Sequence, residues 1–322
     1  MGLDQLATAL FAVLITSVAY GISVCLFTQS ILTMCRKRRS TGQVSWALAI
    51  PSILIFLFAS VNVFAIWANF YWAILVYPEG PHAYLALVRD PCKTAIQTGQ
   101  EGAIMLADLL IVYRTFVLWG GNYYVIIVPC ITFIATFISG VMFVHLQHIV
   151  PDASTSIFNA AITAWTISFL LCSFATTLYS TSLIGYTLWK TDKNVRMTGS
   201  VSARPSVGHR IMIIFVESAA IYSTMHLLYA ILYLAKSNIE ATPSYLEASV
   251  ASITCSLIII RCEAVSREQQ VSGRSFHFGP RMEGWQSTFD SGGGRRGSAM
   301  ISDDTVIDVS PFALKEIKED SR

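Results

Sequence analysis

The chain has 322 residues, of which 54% are hydrophobic and 13% are charged. Charged residues make up about a quarter of an ordinary soluble domain, so this composition excludes a water-soluble globular protein and indicates a membrane protein. The formal net charge of +2 is uninformative as a total, because the charges of a membrane protein matter by their position along the chain.

Apolar segments long enough to cross a bilayer need about 20 helical residues. Such segments cover residues 5–32, 46–72, 94–118, 124–146, 157–188, 211–236 and 245–262. The last is the shortest and contains Glu247 in "EASVASITCSLIII", which also fits a partly buried segment. The pattern predicts an all-α protein, with a bundle of seven transmembrane helices in residues 1–262.

The basic residues predict the orientation of these helices. With the amino terminus outside, the short inner segments hold 10 Lys and Arg residues and the outer segments hold three. Cytoplasmic loops carry the excess of basic residues, so the carboxyl terminus is expected in the cytosol. Asp4 precedes the first span and "CRKRRS" follows it, which is the reverse of a cleaved signal peptide, so this span is expected to remain as an anchor.

Residues 263–322 differ in composition from the rest of the chain, with glycine runs, mixed charge and few periodic apolar residues. This composition predicts a disordered cytosolic tail. Within it, "RRGS" makes Ser298 a candidate for phosphorylation. Cys35 and Cys262 lie at predicted inner ends of spans and are candidates for palmitoylation, although small buried or interfacial residues would look the same.

The third span carries charges in the middle of an apolar sequence, "EGAIMLADLLIVYRTFVLWGG". At 100° per residue, four of its polar residues lie within about 40° of one another. They are Gln97, Glu101, Asp108 and Thr115. Charges near the bilayer centre are unfavourable by about 2.5–3.5 kcal/mol each, so this polar seam is expected to face the bundle interior. Arg114 lies on another face, from which it either reaches lipid phosphates or meets another helix.

The sixth span offers a partner surface for the seam. Arg210, Glu217 and Thr224 follow one another at seven-residue steps on one face, and His226 lies on the opposite side. Acids inside a membrane are functional-site hypotheses, although polar residues also simply hold helices together. The candidates for binding a ligand or a proton are Glu101, Asp108, Glu217 and Thr224.

Three segments resemble a family of seven-span membrane proteins of mushroom-forming fungi, the basidiomycetes. They are "DLLIVYRTFVLWGGNYYVIIVPC", "VESAAIYSTMHLLYAILYLAKSN" and "CSLIIIRCEAVSRE". The resemblance runs from the first span to residue 267. It implies seven helices and an acid followed by Tyr-Arg at the inner end of the third helix, matched here by Asp108, Tyr113 and Arg114. It implies no activity.

A third-helix acid and Tyr-Arg also compare with the seven-helix receptors that couple to G proteins. In those receptors the acid directly precedes the arginine, whereas Val112 and Tyr113 precede Arg114 here, so the comparison is mainly one of topology. A receptor or sensor remains the leading interpretation. Its expected partners are membrane lipid, an unknown small ligand and a cytosolic signalling protein, with no nucleic acid, and its expected location is the plasma membrane rather than an internal membrane.

Other functions remain open. The intramembrane acids also fit a proton- or cation-linked transporter, although the sequence has no internal repeat. His145, His148 and Asp152 are spaced as weak metal ligands of a membrane-embedded hydrolase, and a scaffold is a further alternative. No enzyme activity and no cofactor are expected; in particular, residues 245–262 contain no lysine that could form a retinal Schiff base.

Overall fold

The computed structural model describes residues 5–41, 46–78, 80–86, 90–149, 160–197 and 207–271. The described residues form eight α-helices, a π-helical turn at Trp72–Val76 and a 3₁₀ turn at Asn238–Glu240. The helices are α1 (Gln5–Thr41), α2 (Trp46–Tyr71), α3 (Pro81–Ala86), α4 (Pro91–Leu118), α5 (Tyr123–Ile149), α6 (Ala160–Met197), α7 (Val207–Leu234) and α8 (Ala241–Val271). All seven predicted segments coincide with long helices, and α3 is an additional short helix.

Six of these helices are long and apolar enough to cross a membrane. They cover Leu6–Arg38, Trp46–Val76, Tyr123–Gln147, Ala160–Lys190, Ile213–Leu234 and Ala241–Ala264. The chain is therefore a multi-pass helical membrane protein, and its last span is among the six despite Glu247. The predicted third span, which is α4, is not among them, and its apolar sequence contains Glu101, Asp108 and Arg114.

The predicted boundary between bundle and tail differs from the observed helix. The last span was expected to end at residue 262, but α8 continues as a helix to Val271. The first residues of the predicted tail are thus helical, and residues 272–322, including Ser298, lie outside the described part of the chain.

Contacts between side chains fix the direction of each helix. Lys37 Nζ lies 2.9 Å from Glu263 Oε2, so α1 and α8 end on the same side. Asn62 on α2 meets Ile96 on α4, whereas Phe58 meets Gly102, so these two helices are antiparallel. Asp108 meets Thr177, and further along the same helices Arg114 and Thr181 line one pocket with Ile258, so α4, α6 and α8 run in the same direction. We call the side where α1, α4, α6 and α8 finish the basic end. It carries Arg36, Lys37, Arg114, Lys190 and Arg261.

The centre of the bundle is occupied by α8, which packs against α1, α2, α4 and α7. Its contacts are made through small buried residues, including Ala248 and Ala251, which face Ala103 and Ala107 of α4. Small side chains let the helix backbones approach closely, and this is how helices associate in a membrane, where the surrounding lipid removes the hydrophobic driving force. The centre of the bundle is therefore formed by α4 and α8.

The junction before α4 lies at the opposite end. Asp90 accepts a hydrogen bond from the Cys92 backbone N–H, and Pro91 occupies the first helical position, so Asp90 is the N-cap of α4. The Tyr84 hydroxyl donates to the same carboxylate at 2.9 Å. Burial and this hydrogen bond raise the pKa of Tyr84. This hydrogen bond connects the start of α4 to α3.

At one close backbone contact between α2 and α4, an added methyl group is expected to lower the stability of the protein. A Cβ added at Gly99 would lie 2.8 Å from the Asn62 backbone nitrogen, and backbone cannot move aside as a flexible side chain can. We expect Gly99→Ala to lower the free energy of unfolding by about 1–3 kcal/mol, the usual effect of overpacking. Thermal unfolding of the purified protein in detergent measures this.

Gly185→Ala is the matched control, because a Cβ there has no neighbour within 4 Å among the described residues. Alanine is the better helix former, so this substitution is expected to be neutral or to stabilise by up to about 1 kcal/mol. Equal stability of the two variants would contradict the close α2–α4 contact.

Candidate functional site

Polar side chains from four helices meet in the interior of the bundle, and we call this group the core network. Each is at most 4% exposed. The members are Gln100 and Asp108 of α4, Ser173 and Thr177 of α6, Tyr222 and His226 of α7, and Ser244 and Glu247 of α8. Since buried polar groups are costly unless they are hydrogen-bonded, the partners of each member decide what the network can do.

The Gln100 side chain links α4 to α8. Its Nε2 donates to Glu247 Oε2 at 2.7 Å, and its Oε1 accepts from the Ser244 hydroxyl at 3.1 Å. Because both ends of the amide are engaged, its orientation is fixed. One oxygen of the Glu247 carboxyl is therefore held in place by a donor from a neighbouring helix.

His226 brings α7 to the same carboxyl without completing the contact. Its Nδ1 lies 3.2 Å from the Tyr222 carbonyl oxygen on its own helix and 3.8 Å from Glu247 Oε1. The second distance exceeds that of a hydrogen bond, and Glu247 Oε1 has no hydrogen-bond partner within the described residues. On the other side of the ring, Nε2 lies 3.3 Å from the Ser173 hydroxyl of α6.

The second carboxyl of the network, Asp108, is fully buried. Thr177 donates to its Oδ1 at 3.3 Å, whereas Oδ2 has no hydrogen-bond partner in the described part of the chain. The hydroxyls of Ser173 and Tyr222 also lie near this carboxyl. Ser173 thus lies between His226 and Asp108 and connects the two halves of the network.

The network therefore contains two carboxyls, one imidazole and several hydroxyls, and one carboxyl oxygen on each acid accepts no hydrogen bond from the described residues. Such oxygens can accept a proton or a donor from a neighbouring helix. Protonation of either acid, or a new donor to either oxygen, would alter the contacts among α4, α6, α7 and α8. The chemistry of the site is thus proton and hydrogen-bond exchange within a closed helical interior.

The polar seam of α4 faces the interior, as its spacing predicts. Asp108 and Thr115 are fully buried, and Glu101 is 7% exposed. Glu101 nevertheless lies outside the core network, because its side chain packs against α5, with Oε2 3.1 Å from the position that a Cβ on Gly140 would take. The seam therefore serves two different interfaces.

The predicted partner surface on α7 is wrong. Glu217 is exposed and pairs with Arg261 of α8, and Thr224 is exposed and donates to the Ala220 carbonyl of its own helix. The face of α7 that enters the core is the opposite one, with Tyr222 and His226. A seven-residue spacing identifies a polar stripe, but it does not tell which stripe faces inward.

Sequence reasoning did not select Gln100, His226 or Glu247 as site residues. Glu247 had a usable signal, because an acid inside a span is a functional-site hypothesis in any helix. Gln100 adjoins the seam at Glu101 but lies about 100° away from it around the helix. His226 carried no signal beyond its presence in an apolar helix.

The two predicted residues near the basic end of α4 have different surroundings. Tyr113 is 41% exposed. Arg114 lies over the Phe215 ring of α7, with its guanidinium carbon 5.6 Å from the ring centre. Of the two alternatives for this arginine, contact with another helix is the one observed.

The remaining candidates lie at the periphery or outside the described residues. Cys35 is exposed and Cys262 is partly buried, and neither forms a disulfide. His145 is exposed, whereas the His148 side chain and Asp152 lie outside the described residues. Within the described ranges, no group of three or more His, Cys, Asp or Glu side chains is arranged to hold a metal ion.

No protein-family model matches the sequence, and no curated protein matches it either. Membership of the fungal seven-span family therefore stays a prediction. The case for a function depends on the geometry of the core network and of the helices that carry it.

The Gln100–Glu247 contact can be tested by a double-mutant cycle. Gln100→Met removes the donor to a buried carboxyl, and Glu247→Met removes the acceptor of a buried amide, so each should lower the free energy of unfolding by about 1–3 kcal/mol. The double variant removes both the amide donor and the carboxyl acceptor, so no unpaired group remains at this contact. We expect its loss of stability to be smaller than the sum of the single losses.

Gln97→Met is the control, because this residue is on the same helix and outside the network. Thermal unfolding of all four variants in the same detergent gives the coupling between the two side chains. Additive losses from Gln100→Met and Glu247→Met would contradict the observed contact.

Proposed function

We propose that this chain is a seven-span membrane receptor or sensor in which α7 relays the state of the core network to the basic end of the bundle. One observation carries this proposal: α7 contributes to both places. Its interior face places Tyr222 and His226 in the network, and its outer face places Glu217 in an ion pair with Arg261. A displacement of α7 would change both sets of contacts together.

The bundle has seven spans only if α4 crosses the membrane in addition to the six apolar helices. Its 28 residues give a helix about 42 Å long at 1.5 Å per residue, which exceeds the roughly 30 Å of the hydrocarbon core. Its two acids are buried in the bundle and are shielded from lipid. These properties support α4 as a central span, although it contains more charged residues in its apolar stretch than the six apolar helices.

The contact between His226 and Glu247 supports two alternative states. At 3.8 Å the imidazole and the carboxyl are close without being hydrogen-bonded. A small movement of α7, or a proton on the imidazole, would convert this approach into a charge-assisted pair. A ligand shifts such an equilibrium when it binds one state better than the other. The proposed input is therefore an unidentified small ligand, and the output is a cytosolic partner.

A proton- or cation-linked transporter is the second candidate. It is favoured by the two buried acids, because Asp108 Oδ2 and Glu247 Oε1 are unmatched acceptors in the described residues. Ser173 lies between them through its contacts with His226 and Asp108. A proton passing along these groups would serve transport as well as signalling, so the two functions need to be separated by experiment.

The proposed topology has a direct test. Seven spans with the amino terminus outside place the basic end in the cytosol. The expected location is the plasma membrane rather than an internal membrane. An epitope after Arg322 should be reached by antibody only after the cells are permeabilised, whereas an epitope before Met1 should be labelled on intact cells. Labelling of the carboxyl-terminal epitope on intact cells would show that the chain has one span fewer or the opposite orientation.

The functional test uses Asp108→Asn and Glu247→Gln, since the amides keep the shape of the acids and lose their charge. Spin labels at Val117→Cys and Val216→Cys, in a background without other reactive thiols, report the distance between α4 and α7 at exposed positions. In a receptor we expect the distance distribution to shift by on the order of 2 Å and vesicles to show no substrate flux.

Glu101→Gln is the matched control, because this acid is on α4 but outside the core network, and its label distances should match those of the unsubstituted protein. Acid-dependent flux in reconstituted vesicles that is lost in Asp108→Asn would establish the transporter instead. Loss of stability with unchanged distances and no flux would assign the network a structural role.

A further inference from the structure

A partly open cavity lies between the core network and the basic end, lined by residues of α4, α6, α7 and α8. Its volume is about 30 Å³, which is enough for one or two occupants the size of a water molecule. Most of its wall is apolar, formed by residues such as Leu110, Ala251 and Ile258. Arg114 and Tyr222 also line it, and they bring hydrogen-bond donors to this apolar space.

Both of these donors are buried atoms, Arg114 Nη1 and the Tyr222 hydroxyl oxygen, and neither makes a hydrogen bond within the described residues. The Tyr222 hydroxyl lies near the Asp108 carboxyl. Arginine nitrogens can only donate. Two such donors that line one cavity can hold a shared acceptor inside it.

The charge of Arg114 is also uncompensated by the cavity wall. None of the lining residues is acidic. The described acids near this end of the bundle are engaged elsewhere, Glu217 with Arg261 and Glu263 with Lys37. The Arg114 side chain is partly exposed, but its Nη1 atom is buried, and the apolar wall strengthens the attraction of any anion that enters. An acceptor in this cavity is therefore favoured if it is negatively charged.

We propose that this cavity is a binding site for one small inorganic anion of halide size, held by Arg114 Nη1 and the Tyr222 hydroxyl. The small volume of about 30 Å³ favours an occupant of this size over a phosphate head group. This proposal does not depend on the receptor assignment, since it follows from the donors and the cavity alone.

Tyr222 connects the anion site to the core network. Its ring packs against the His226 ring with centres 4.3 Å apart, and its hydroxyl lies near the Asp108 carboxyl. One hydroxyl has a single proton to donate, so the anion and Asp108 compete for it. Occupation of the cavity is therefore expected to change the hydrogen bonding of Asp108.

The test uses the full chain in nanodiscs of uncharged phosphatidylcholine, with chloride replaced stepwise by gluconate at constant ionic strength. A ligand that binds the folded state raises its thermal stability. We expect a saturable rise in the unfolding temperature with chloride and also with bromide. Arg114→Gln and Tyr222→Phe should each raise the half-saturating chloride concentration by roughly tenfold or more.

Lys190→Gln is the matched control, because it removes an exposed cation of the same end that does not line the cavity, and its chloride response should equal that of the unsubstituted protein. Tyr222→Phe keeps the ring packing, so its result holds even if Arg114→Gln alters the fold. A response to ionic strength alone, or an unchanged chloride response in both cavity variants, would overturn the proposal. Stabilisation only by anionic phosphatidylglycerol, lost in Arg114→Gln, would also overturn it by assigning the counter-charge to a lipid phosphate.

Discussion

The hydrogen bond between Gln100 and Glu247 is the constraint on which the arrangement of the bundle depends. An acid in the middle of a membrane helix cannot face lipid without a large cost, so α8 must turn Glu247 towards other protein. The Gln100 amide supplies a donor 2.7 Å away, and this contact places α4 beside α8. The small residues on both helices then allow close packing along the rest of the interface. The acids Asp108 of α4 and Glu247 of α8 thereby face protein in the centre of the bundle.

A bundle organised around buried polar groups has a property that an apolar core lacks. Its contacts are directional, and an incomplete contact such as that of Glu247 Oε1 with His226 has a second geometry close to the first. Apolar packing penalises displacement almost uniformly, whereas a network of this kind can favour either of two helix positions. Because α7 also carries Glu217 at the basic end, a local change in the core reaches a surface. This coupling underlies the proposed receptor function.

The sequence by itself was sufficient for the helical class, for the positions of all seven long helices and for the inward orientation of the α4 seam. The reason is physical: apolar runs of membrane-spanning length leave only one secondary structure that satisfies every backbone group in lipid. The same energetic argument required Asp108 to be buried. The helical cap at Asp90 could also be read from local sequence, because capping depends on neighbouring residues alone.

The partners of these polar residues were decided only by the tertiary structure. The rotation of α7 about its axis brings Tyr222 and His226 into the core and leaves Glu217 and Thr224 outside. Both faces of this helix carry polar residues, so its periodicity could not choose between them. The pairing of Gln100 with Glu247, 147 positions apart, depends on which helices are neighbours, and nothing in the local sequence specifies that. Helix formation is local, whereas the contacts that make a site require the packed bundle.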